Sequence, residues 1–400
     1  MEDRADVGAR QGRANVLRTL GRSGPMHRTE LARTLGVSPA TITEVTRELL
    51  DLGLVRTVGK RPSRGGRPAE LLALVSDSAL LLGVKVAPDH VSGVLVDLAG
   101  TVVDSFEVPF DARSPNLVGA LESVLTDHLA EDRLLGVGLG VPGMVARADG
   151  GRVTAPTLGW VDLDLGSRLQ ERLGLPVIVE NDVHTLAVAE RLFGRGADVD
   201  DFVTITLGEG VGLGVVIGGE LHTGARGGAA EIGHVIVDES GPRCGCGRHG
   251  CLEAFASDPA LVGRAVEEGI LPTDGSIEEL RAVPEAAAIF ARAGTHLGRT
   301  VATVVTILAP QMILVSGEGV ASWPLLRQSF ETAFRAGVLP AHADVPVVMG
   351  RWDDLDWARG AASLLARTIF APSTSDGAVE RLVRSRLAAT AQLRIAADGR

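Results

Sequence analysis

The pattern of apolar residues changes once along the chain, near residues 76–79, and this change constrains the fold more than any other feature. Before it, apolar residues recur at helical spacing in short segments, and after it, apolar runs alternate with glycine turns. A chain of 400 residues is also too long for a single core. We therefore expect an α/β protein with a small domain over residues 1–75, a large domain over residues 76–370, and a C-terminal extension over residues 371–400 to which we assign no role.

Three short helices are predicted before residue 50. The first covers Ala14–Leu20 and the second covers Thr29–Leu35, each followed by a glycine. Ser38 can cap the third helix. Pro39 suits the first helical position, where its missing N–H costs nothing. Two helices joined by a short turn that contains glycine are typical of a helix-turn-helix.

The predicted third helix has two chemically different faces. Ile42, Val45 and Leu49 fall on one side, which is suited to packing on a core. The opposite side would contact DNA, and it carries the small, polar and basic residues Ala40, Thr43, Glu44 and Arg47.

A β-hairpin is predicted after the third helix, with strands at Leu54–Val58 and Glu70–Val75. The loop between them is rich in glycine and arginine, and a hairpin with a basic tip is typical of a wing. We expect Arg64 and Arg67 to lie along the DNA backbone or in a narrow minor groove. The alternative is a helical protein-interaction module with a basic linker, but the order and lengths of the elements favour the winged helix.

Charge is distributed unevenly along the chain. Residues 1–70 hold 13 Arg or Lys against 8 Asp or Glu, whereas residues 71–400 hold 26 against 42. A basic N-terminal segment followed by an acidic remainder is typical of a small DNA-binding module attached to a domain that does not bind DNA. The sequence has no uncharged apolar stretch of about 18 residues and no apolar signal core at its start. We therefore expect a cytoplasmic protein without membrane insertion.

The large domain is predicted to contain a repeated α/β unit. A helix is predicted over Asn116–Ala130, and further helices are predicted after the strand pair Phe202–Leu207 and Gly212–Ile217. The predicted strands are Leu80–Val86, Val91–Asp97, Thr101–Val108, Gly136–Val141, Phe202–Leu207, Gly212–Ile217 and Met312–Ser316. Two such halves with a cleft between them indicate a sugar-kinase architecture, in which ligands bind beyond the carboxyl ends of the strands.

The three cysteines of the chain, Cys244, Cys246 and Cys251, lie within eight residues. Without a secretion signal a disulfide framework is not expected, and the cluster predicts a metal site. Three thiolates and one imidazole complete a tetrahedral zinc site with no open position, so the Zn²⁺ would be structural. The fourth ligand could be His249, inside the loop, or His234, ten residues before Cys244.

Four motifs stand out in the large domain: Gly140-Val141-Pro142-Gly143, Glu180-Asn181-Asp182, Glu231-Ile232-Gly233-His234 and the segment from Cys244 to Glu253. Together they resemble the motifs of the ROK family of repressors, open reading frames and kinases. The basic loop Gly65-Gly66-Arg67-Pro68 is similar to that of the winged-helix repressor branch. The resemblance implies a two-lobed, actin-like domain of the ribonuclease H-like class, and it points to His234 as the fourth metal ligand.

The resemblance also implies a sugar site and two partners. The residues that match the family's sugar-contacting positions are Asn181, Asp182, Glu231, His234 and Glu253. Carboxylates and amides of this kind accept hydrogen bonds from sugar hydroxyls at fixed geometry. We expect a homodimer or homotetramer that binds an inverted-repeat operator and responds to a monosaccharide or a sugar phosphate.

The phosphate-binding positions of the family's kinases are altered. Their Asp-x-Gly-Gly-Thr-Lys stretch corresponds here to residues 85–90, which begin with Lys85 and include Pro88 and Asp89. Glu209 and Glu318 place further carboxylates in two glycine turns. We therefore predict a sugar-responsive repressor without kinase activity, in which Asp182 accepts a hydroxyl instead of acting as a base. The alternatives are an active kinase fused to a DNA-binding head and a repressor controlled by a protein partner.

Overall fold

The protein divides into two compact units. The computed structural model describes residues 4–61, 69–129, 132–350, 352–353, 355–372 and 376–398. One unit comprises Met1–Phe193 and Trp357–Arg400, and the other comprises Gly194–Asp356. Neither unit has a helix long and apolar enough to cross a membrane within the described residues.

The first unit begins with three helices and a small sheet. The elements are α1 (Arg4–Ser23), β1 (Met26–His27), α2 (Arg28–Leu35), α3 (Pro39–Asp51), β2 (Val55–Arg61) and β3 (Ala69–Leu74). The sheet has the order β1-β3-β2 and is antiparallel throughout. This arrangement is a winged helix-turn-helix, as the sequence predicts.

Local sequence explains the helix-turn-helix geometry. Gly36 ends α2 in the left-handed conformation with φ of 64°, which glycine adopts without strain. The Ser38 hydroxyl accepts the backbone N–H of Thr41 at 3.1 Å and so caps α3, as expected. The two-residue strand β1 is not anticipated, because Met26–His27 is too short to show a periodic pattern.

The segment that follows the winged helix has a defined structure. Ser76–Ser78, where the pattern of apolar residues changes, forms a 3-10 turn in which Ser78 is buried. The backbone N–H of Leu98 donates to Ser76 at 3.0 Å, and the Arg133 guanidinium donates to the carbonyl of Asp77 at 2.9 Å. The turn is therefore fixed to the domain that it precedes.

The α/β part of the first unit is built around a five-stranded sheet. Its elements are β4 (Leu80–Val86), β5 (His90–Asp97), β6 (Val102–Pro109), α4 (Leu117–Thr126), β7 (Leu134–Val141), β8 (Met144–Ala146), β9 (Arg152–Ala155), β10 (Trp160–Asp164), α5 (Leu165–Leu173), β11 (Val177–Asn181) and α6 (Asp182–Phe193). The strand order is β11-β7-β4-β5-β6, with β4, β7 and β11 parallel and β5 and β6 antiparallel. Strands β8, β9 and β10 form a separate antiparallel sheet that the sequence analysis does not anticipate.

Helix α4 is shorter than predicted. The sequence predicts a helix over Asn116–Ala130, but α4 ends at Thr126, and Ala130 lies outside the described residues. After the helix ends, the His128 ring stacks on Phe106 of β6 with ring centroids 3.7 Å apart. This aromatic contact stabilises a non-helical conformation of the chain after Thr126.

The second unit repeats the same sheet plan. Its elements are β12 (Phe202–Leu207), β13 (Val211–Ile217), β14 (Glu220–Leu221), α7 (Glu253–Ala256), α8 (Asp258–Glu267), α9 (Ile277–Arg281), α10 (Ala287–Leu308), β15 (Met312–Ser316), α11 (Trp323–Gly337) and β16 (Val347–Met349). The strand order is β14-β13-β12-β15-β16. The pairs on one side of the central strand β12 are antiparallel and those on the other side are parallel, as in the first sheet. Apolar residues of this sheet, α10 and α11 form one core.

Two C-terminal helices, α12 (Asp356–Phe370) and α13 (Ala378–Asp398), complete the first unit. Helix α12 lies very close to the sheet: a Cβ at Gly83 of β4 or at Gly138 of β7 would collide with its backbone at Ala358 or Ala361. Helix α13 contacts β7, β11 and the turn Ser76–Ser78. A helix therefore occupies much of the C-terminal extension, and it packs on the first unit.

Candidate functional site

The exposed face of α3 is formed by the residues that the sequence analysis selects. Ile42, Val45 and Leu49 are buried against the rest of the winged helix. Helix α3 is also attached to α2, because Arg28 Nε donates to the buried Thr46 hydroxyl at 3.0 Å. The opposite face is exposed at Ala40, Thr43, Glu44 and Arg47. Arg64 and Arg67 lie outside the described residues, so their predicted DNA contacts are not tested.

Asn181 ends β11, and its amide is held by backbone groups on both sides. Its Nδ2 donates to the carbonyl of Gly143 at 3.0 Å, and its Oδ1 accepts the backbone N–H of His184 at 3.1 Å. Gly143 itself has φ of 92° and approaches Ala155 too closely for a side chain. The turn after β7 and the start of α6 therefore fix the Asn181 side chain together.

Asp182, the first residue of α6, carries a carboxylate that is satisfied from two sides. Its Oδ1 accepts the backbone N–H of Val183 at 2.9 Å, and its Oδ2 forms an ion pair with the ammonium of Lys85. Lys85 also lies over the indole of Trp357, with Nζ 4.9 Å from the ring centroid. Because both charged side chains are largely buried, the pair is held in one place and shielded from water.

Four side chains of the second unit converge in the geometry of a metal site. Ligand atoms of His234, Cys244, Cys246 and Cys251 all lie within 4.8 Å of one another. The Sγ of Cys244 is 3.6 Å from Nδ1 of His234, and the Sγ atoms of Cys246 and Cys251 are 3.7 Å apart. Tetrahedral zinc with ordinary Zn–S and Zn–N bonds would place such pairs about 3.6 and 3.8 Å apart. The four residues therefore fit a tetrahedral metal ion.

His249, the other candidate ligand, is directed elsewhere. Its Nδ1 lies 3.4 Å from the carbonyl of Gly241, and its backbone pairs with Arg243. Gly250, with φ of 72°, follows His249 and packs on the carbonyl of Asp238, where a side chain would collide. The loop can therefore turn tightly enough to gather the cysteines, but it leaves His249 outside the cluster.

The cysteine thiols differ in their electrostatic surroundings. Burial raises the pKa of the Cys244 thiol to about 12. In contrast, the backbone N–H of Arg248 lowers the pKa of the exposed Cys246 to about 6. A buried thiolate at Cys244 therefore requires a nearby cation, which a bound metal ion would supply.

Glu253 connects the cluster to the turn between β12 and β13. Its Oε2 accepts the backbone N–H of Val211 at 3.3 Å, and its Oε1 lies 3.9 Å from the Sγ of Cys244. Glu231 is exposed and directly precedes the 3-10 turn that carries His234. The residue before it, Ala230, takes the left-handed conformation with φ of 65°, which is uncommon for a residue with a side chain.

Carboxylates surround the glycine turn at residues 208–210. Oε1 of Glu318 accepts the backbone N–H of Glu209 at 3.0 Å, so one of the turn's donors is already used. Asp258 donates its backbone N–H to Gly208, and burial raises the pKa of its carboxyl to about 6 even though Arg281 lies 3.7 Å away. The turn therefore carries negative charge on two sides.

The predicted sugar contacts are distributed over both units. Asn181 and Asp182 are adjacent in the first unit, whereas Glu231, His234 and Glu253 surround the metal cluster in the second. In the sequence, Lys85 only stands where the family's kinases have an acidic residue, and its ion pair with Asp182 is not predicted. The lysine itself could have indicated a specific partner, because the chain has only two lysines among 39 Lys and Arg residues.

The fold and these residues define a class: a winged helix-turn-helix joined to a two-lobed, sugar-kinase-like domain with a Cys₃His cluster. Residues 81–368 match the ROK family, and residues 11–58 match the MarR family. Because the first match covers most of the chain, the protein belongs to the ROK family.

Several curated relatives are repressors. The xylose repressor of Bacillus subtilis is 27% identical over 325 residues, which cover 79% of this chain and 84% of the relative. A putative xylose repressor of Caldicellulosiruptor sp. is 31% identical over 265 residues, or 64% and 66% of the two chains. The DNA-binding transcriptional dual regulator NagC of Escherichia coli is 27% identical over 378 residues, or 89% and 92%.

Solved structures include both a regulator and kinases. A ROK family transcriptional regulator, a homologue of the E. coli MLC protein, superposes with a TM-score of 0.78 at 27% identity, covering 95% of this chain and 99% of that one. A ROK family glucokinase from Streptomyces griseus, in complex with glucose and AMPPNP, has a TM-score of 0.62 at 28% identity, covering 72% and 99%. The regulator's match therefore includes the head, whereas the kinase match covers less of the chain.

Proposed function

We propose that this protein is a DNA-binding transcriptional repressor whose ROK domain senses a sugar. The observation that carries the proposal is the fusion of a winged helix, with an exposed polar face on α3, to a ROK domain. Relatives that share this organisation over most of their length are repressors named for xylose and for N-acetylglucosamine.

The DNA contacts are proposed to come from α3 and the wing. Arg47 and Thr43 would reach base edges in the major groove, and Ala40 and Glu44 lie on the same exposed face. Arg64 and Arg67 of the wing would contact the backbone or the minor groove. A homodimer or homotetramer would place two such heads on an inverted-repeat operator.

The effector is proposed to be a monosaccharide or a sugar phosphate. Its hydroxyls would be bound by Asn181, Asp182, Glu231, His234 and Glu253, which supply carboxylate, amide and imidazole groups. Support comes from the way these groups are held. Backbone bonds fix Asn181, the Lys85 ion pair fixes Asp182, and the Val211 N–H fixes Glu253.

The metal ion is proposed to be a structural Zn²⁺ bound by His234, Cys244, Cys246 and Cys251. When bound, it would supply no chemistry to a substrate, because four protein ligands leave no open position. The cluster instead fastens the segments that carry Glu231 and Glu253, and both are proposed sugar contacts.

We further propose that the domain does not transfer phosphoryl groups. A general base must take up the proton of the attacking hydroxyl. Asp182 could do so only by giving up its ion pair with Lys85, whereas it can keep that pair while it accepts a hydrogen bond from a sugar hydroxyl. On the glycine turn, the Glu318 carboxylate accepts the Glu209 N–H that a phosphate oxygen would otherwise accept, and its charge would repel a phosphate.

Isothermal titration with xylose, glucose, N-acetylglucosamine and their phosphates, with and without ATP, tests this function. We expect one of these sugars to bind, ATP to leave its affinity unchanged, and no ADP to form in a coupled assay. Sugar-dependent ADP formation would instead favour the kinase. Operator binding by a protein that binds none of the sugars would favour control by a protein partner.

A further inference from the structure

A fully buried carboxylate lies directly before the ligand corner, by which we mean Asn181 and Asp182. This carboxylate belongs to Glu180, the fourth residue of β11. Its Oε1 accepts the backbone N–H of Asn181 at 2.9 Å and lies 3.1 Å from Nδ1 of the buried His184. The proposed sugar contacts do not include it. Because a buried charge is costly unless it is paired, the position of Glu180 depends on a nearby cation.

Arg147 supplies that cation and joins Glu180 to the C-terminal helix α13. One guanidinium nitrogen of Arg147 lies 3.7 Å from Oε2 of Glu180, and the other donates to Oε1 of Glu380 at 2.5 Å. Burial alone would raise the pKa of Glu380, but Arg147, a backbone hydrogen bond and Arg367 together outweigh it and keep this pKa below its usual value. Glu380 is therefore charged at neutral pH, and it binds the Arg147 guanidinium through a different nitrogen from the one nearest Glu180.

Glu380 is itself held firmly at the start of α13. Its Oε2 accepts the backbone N–H of Gly377 at 2.9 Å. Just before the helix, the carboxylate of Asp376 binds Arg367 of α12 at 3.0 Å and Arg384 of α13 at 2.7 Å. Further along the helix, Arg386 donates to the carbonyl of Leu134 at 3.0 Å. Several contacts therefore hold α13, and with it Glu380, in place.

We propose that Arg147 and Glu380 are positioning residues for the ligand corner. Glu380 orients Arg147, Arg147 neutralises Glu180, and Glu180 holds the backbone N–H of Asn181, directly before Asp182. Helix α13, to which the sequence analysis assigns no role, thereby becomes part of the ligand-binding apparatus. The inference rests on the proposed function for the identity of the ligand, but the geometry of the corner can be tested without any ligand.

Hydrogen exchange on the full-length protein without sugar provides the first test. In Arg147→Gln and in Glu380→Gln, we expect the amides of residues 181–185 to exchange about tenfold faster than in the parent protein. Combining the two substitutions should add little, because Glu380 acts through Arg147. Arg147→Lys keeps the positive charge but loses the planar guanidinium, so it should accelerate exchange less. This variant replaces Arg147→Gln in the test if the latter fails to fold.

Arg384→Gln is the matched control. It removes an ion pair from the same helix, but Arg384 contacts Asp376 and Thr368, not Arg147 or Glu180. We expect it to lower the melting temperature about as much as Glu380→Gln while the corner exchanges at the parent rate, because the Asp376–Arg367, Gly377–Glu380 and Arg386–Leu134 contacts still hold α13. Unchanged exchange in both Arg147 variants, or equal acceleration by Arg384→Gln, would overturn the inference.

Titration with the sugar that the parent protein binds provides the second test. Glu380→Gln should weaken sugar binding about tenfold and leave operator affinity without sugar unchanged, whereas Arg384→Gln should change neither. If the parent binds none of the tested sugars, the proposed function fails, and the exchange experiment still decides the positioning role. If the parent binds a sugar and Glu380→Gln binds it equally well, the positioning role fails alone.

Discussion

Replacement of His234 by Ala should remove the metal ion and lower the stability of the second unit. His234 Nδ1 lies 3.6 Å from the Sγ of Cys244, within a cluster that matches the spacing of tetrahedral zinc. His249 offers a matched control in the same loop, because its Nδ1 faces the carbonyl of Gly241 instead. The two alanine variants remove the same side chain from positions that, in the absence of sugar, are expected to differ in metal binding.

The expected size of the effect follows from linkage. A ligand present at a thousandfold excess over its Kd stabilises the folded state by about 4 kcal/mol. For a unit of the size of Gly194–Asp356, each kcal/mol shifts the melting temperature by about 2–4 °C. Loss of the metal ion should therefore lower the melting temperature of this unit by about 8–16 °C.

Elemental analysis and calorimetry of the purified variants measure both effects. We expect about one zinc per chain in the parent and in His249→Ala, and none in His234→Ala. A strong chelator should lower the melting temperature of the first two proteins and leave that of His234→Ala unchanged. Loss of zinc from His249→Ala with retention in His234→Ala would refute the ligand assignment, and a zinc-free parent with intact thiols would refute the metal site.

Three further substitutions test other parts of the account. Arg47→Ala should weaken operator binding by about 1–3 kcal/mol in a fluorescence anisotropy titration, since it removes a proposed base contact; unchanged affinity would place the DNA contacts elsewhere. Lys85→Met should lower the free energy of unfolding in urea by about 3–5 kcal/mol, because it leaves the Asp182 carboxylate buried and unpaired; a neutral result would contradict the ion pair. Asp258→Asn should raise the urea midpoint of unfolding at neutral pH. The pKa of Asp258 is about 6 in the folded protein and 3.8 ordinarily, so the parent protein loses stability as the pH rises between these two values. The gain from the substitution should therefore disappear below about pH 4. A midpoint gain that is independent of pH would show that ionisation of Asp258 is not its cause.

The sequence predicts the winged helix and the sheet strands well because their signals are local. Gly36, Ser38 and Pro39 set the turn before α3 through their own backbone preferences. Several strands of the larger domain, such as Leu80–Val86 and Phe202–Leu207, have the predicted bounds, because apolar runs between glycine turns show where they start and end. Alternating exposure on α3 likewise follows from helical periodicity.

What the sequence does not predict depends on contacts between distant segments. Strand β1 forms only because Met26 and His27 pair with Leu72 and Leu71 of β3. The end of α4 follows from the stacking of His128 on Phe106, 22 positions earlier. The same holds for the ligand corner. The pairing of Lys85 with Asp182 and of Arg147 with Glu380 joins segments far apart in the chain, and no local pattern encodes it.

The central claim is that sugar binding sets the affinity for operator DNA, and the direct measurement is operator affinity with and without a sugar that the protein binds. A ligand shifts this equilibrium only through its different affinities for the two states of the protein. We expect the sugar to change the operator Kd by about 5–150-fold, which is typical of coupling energies between two sites, and operator DNA to change the sugar Kd by the same factor. A sugar that binds tightly but leaves the operator Kd unchanged would contradict the claim.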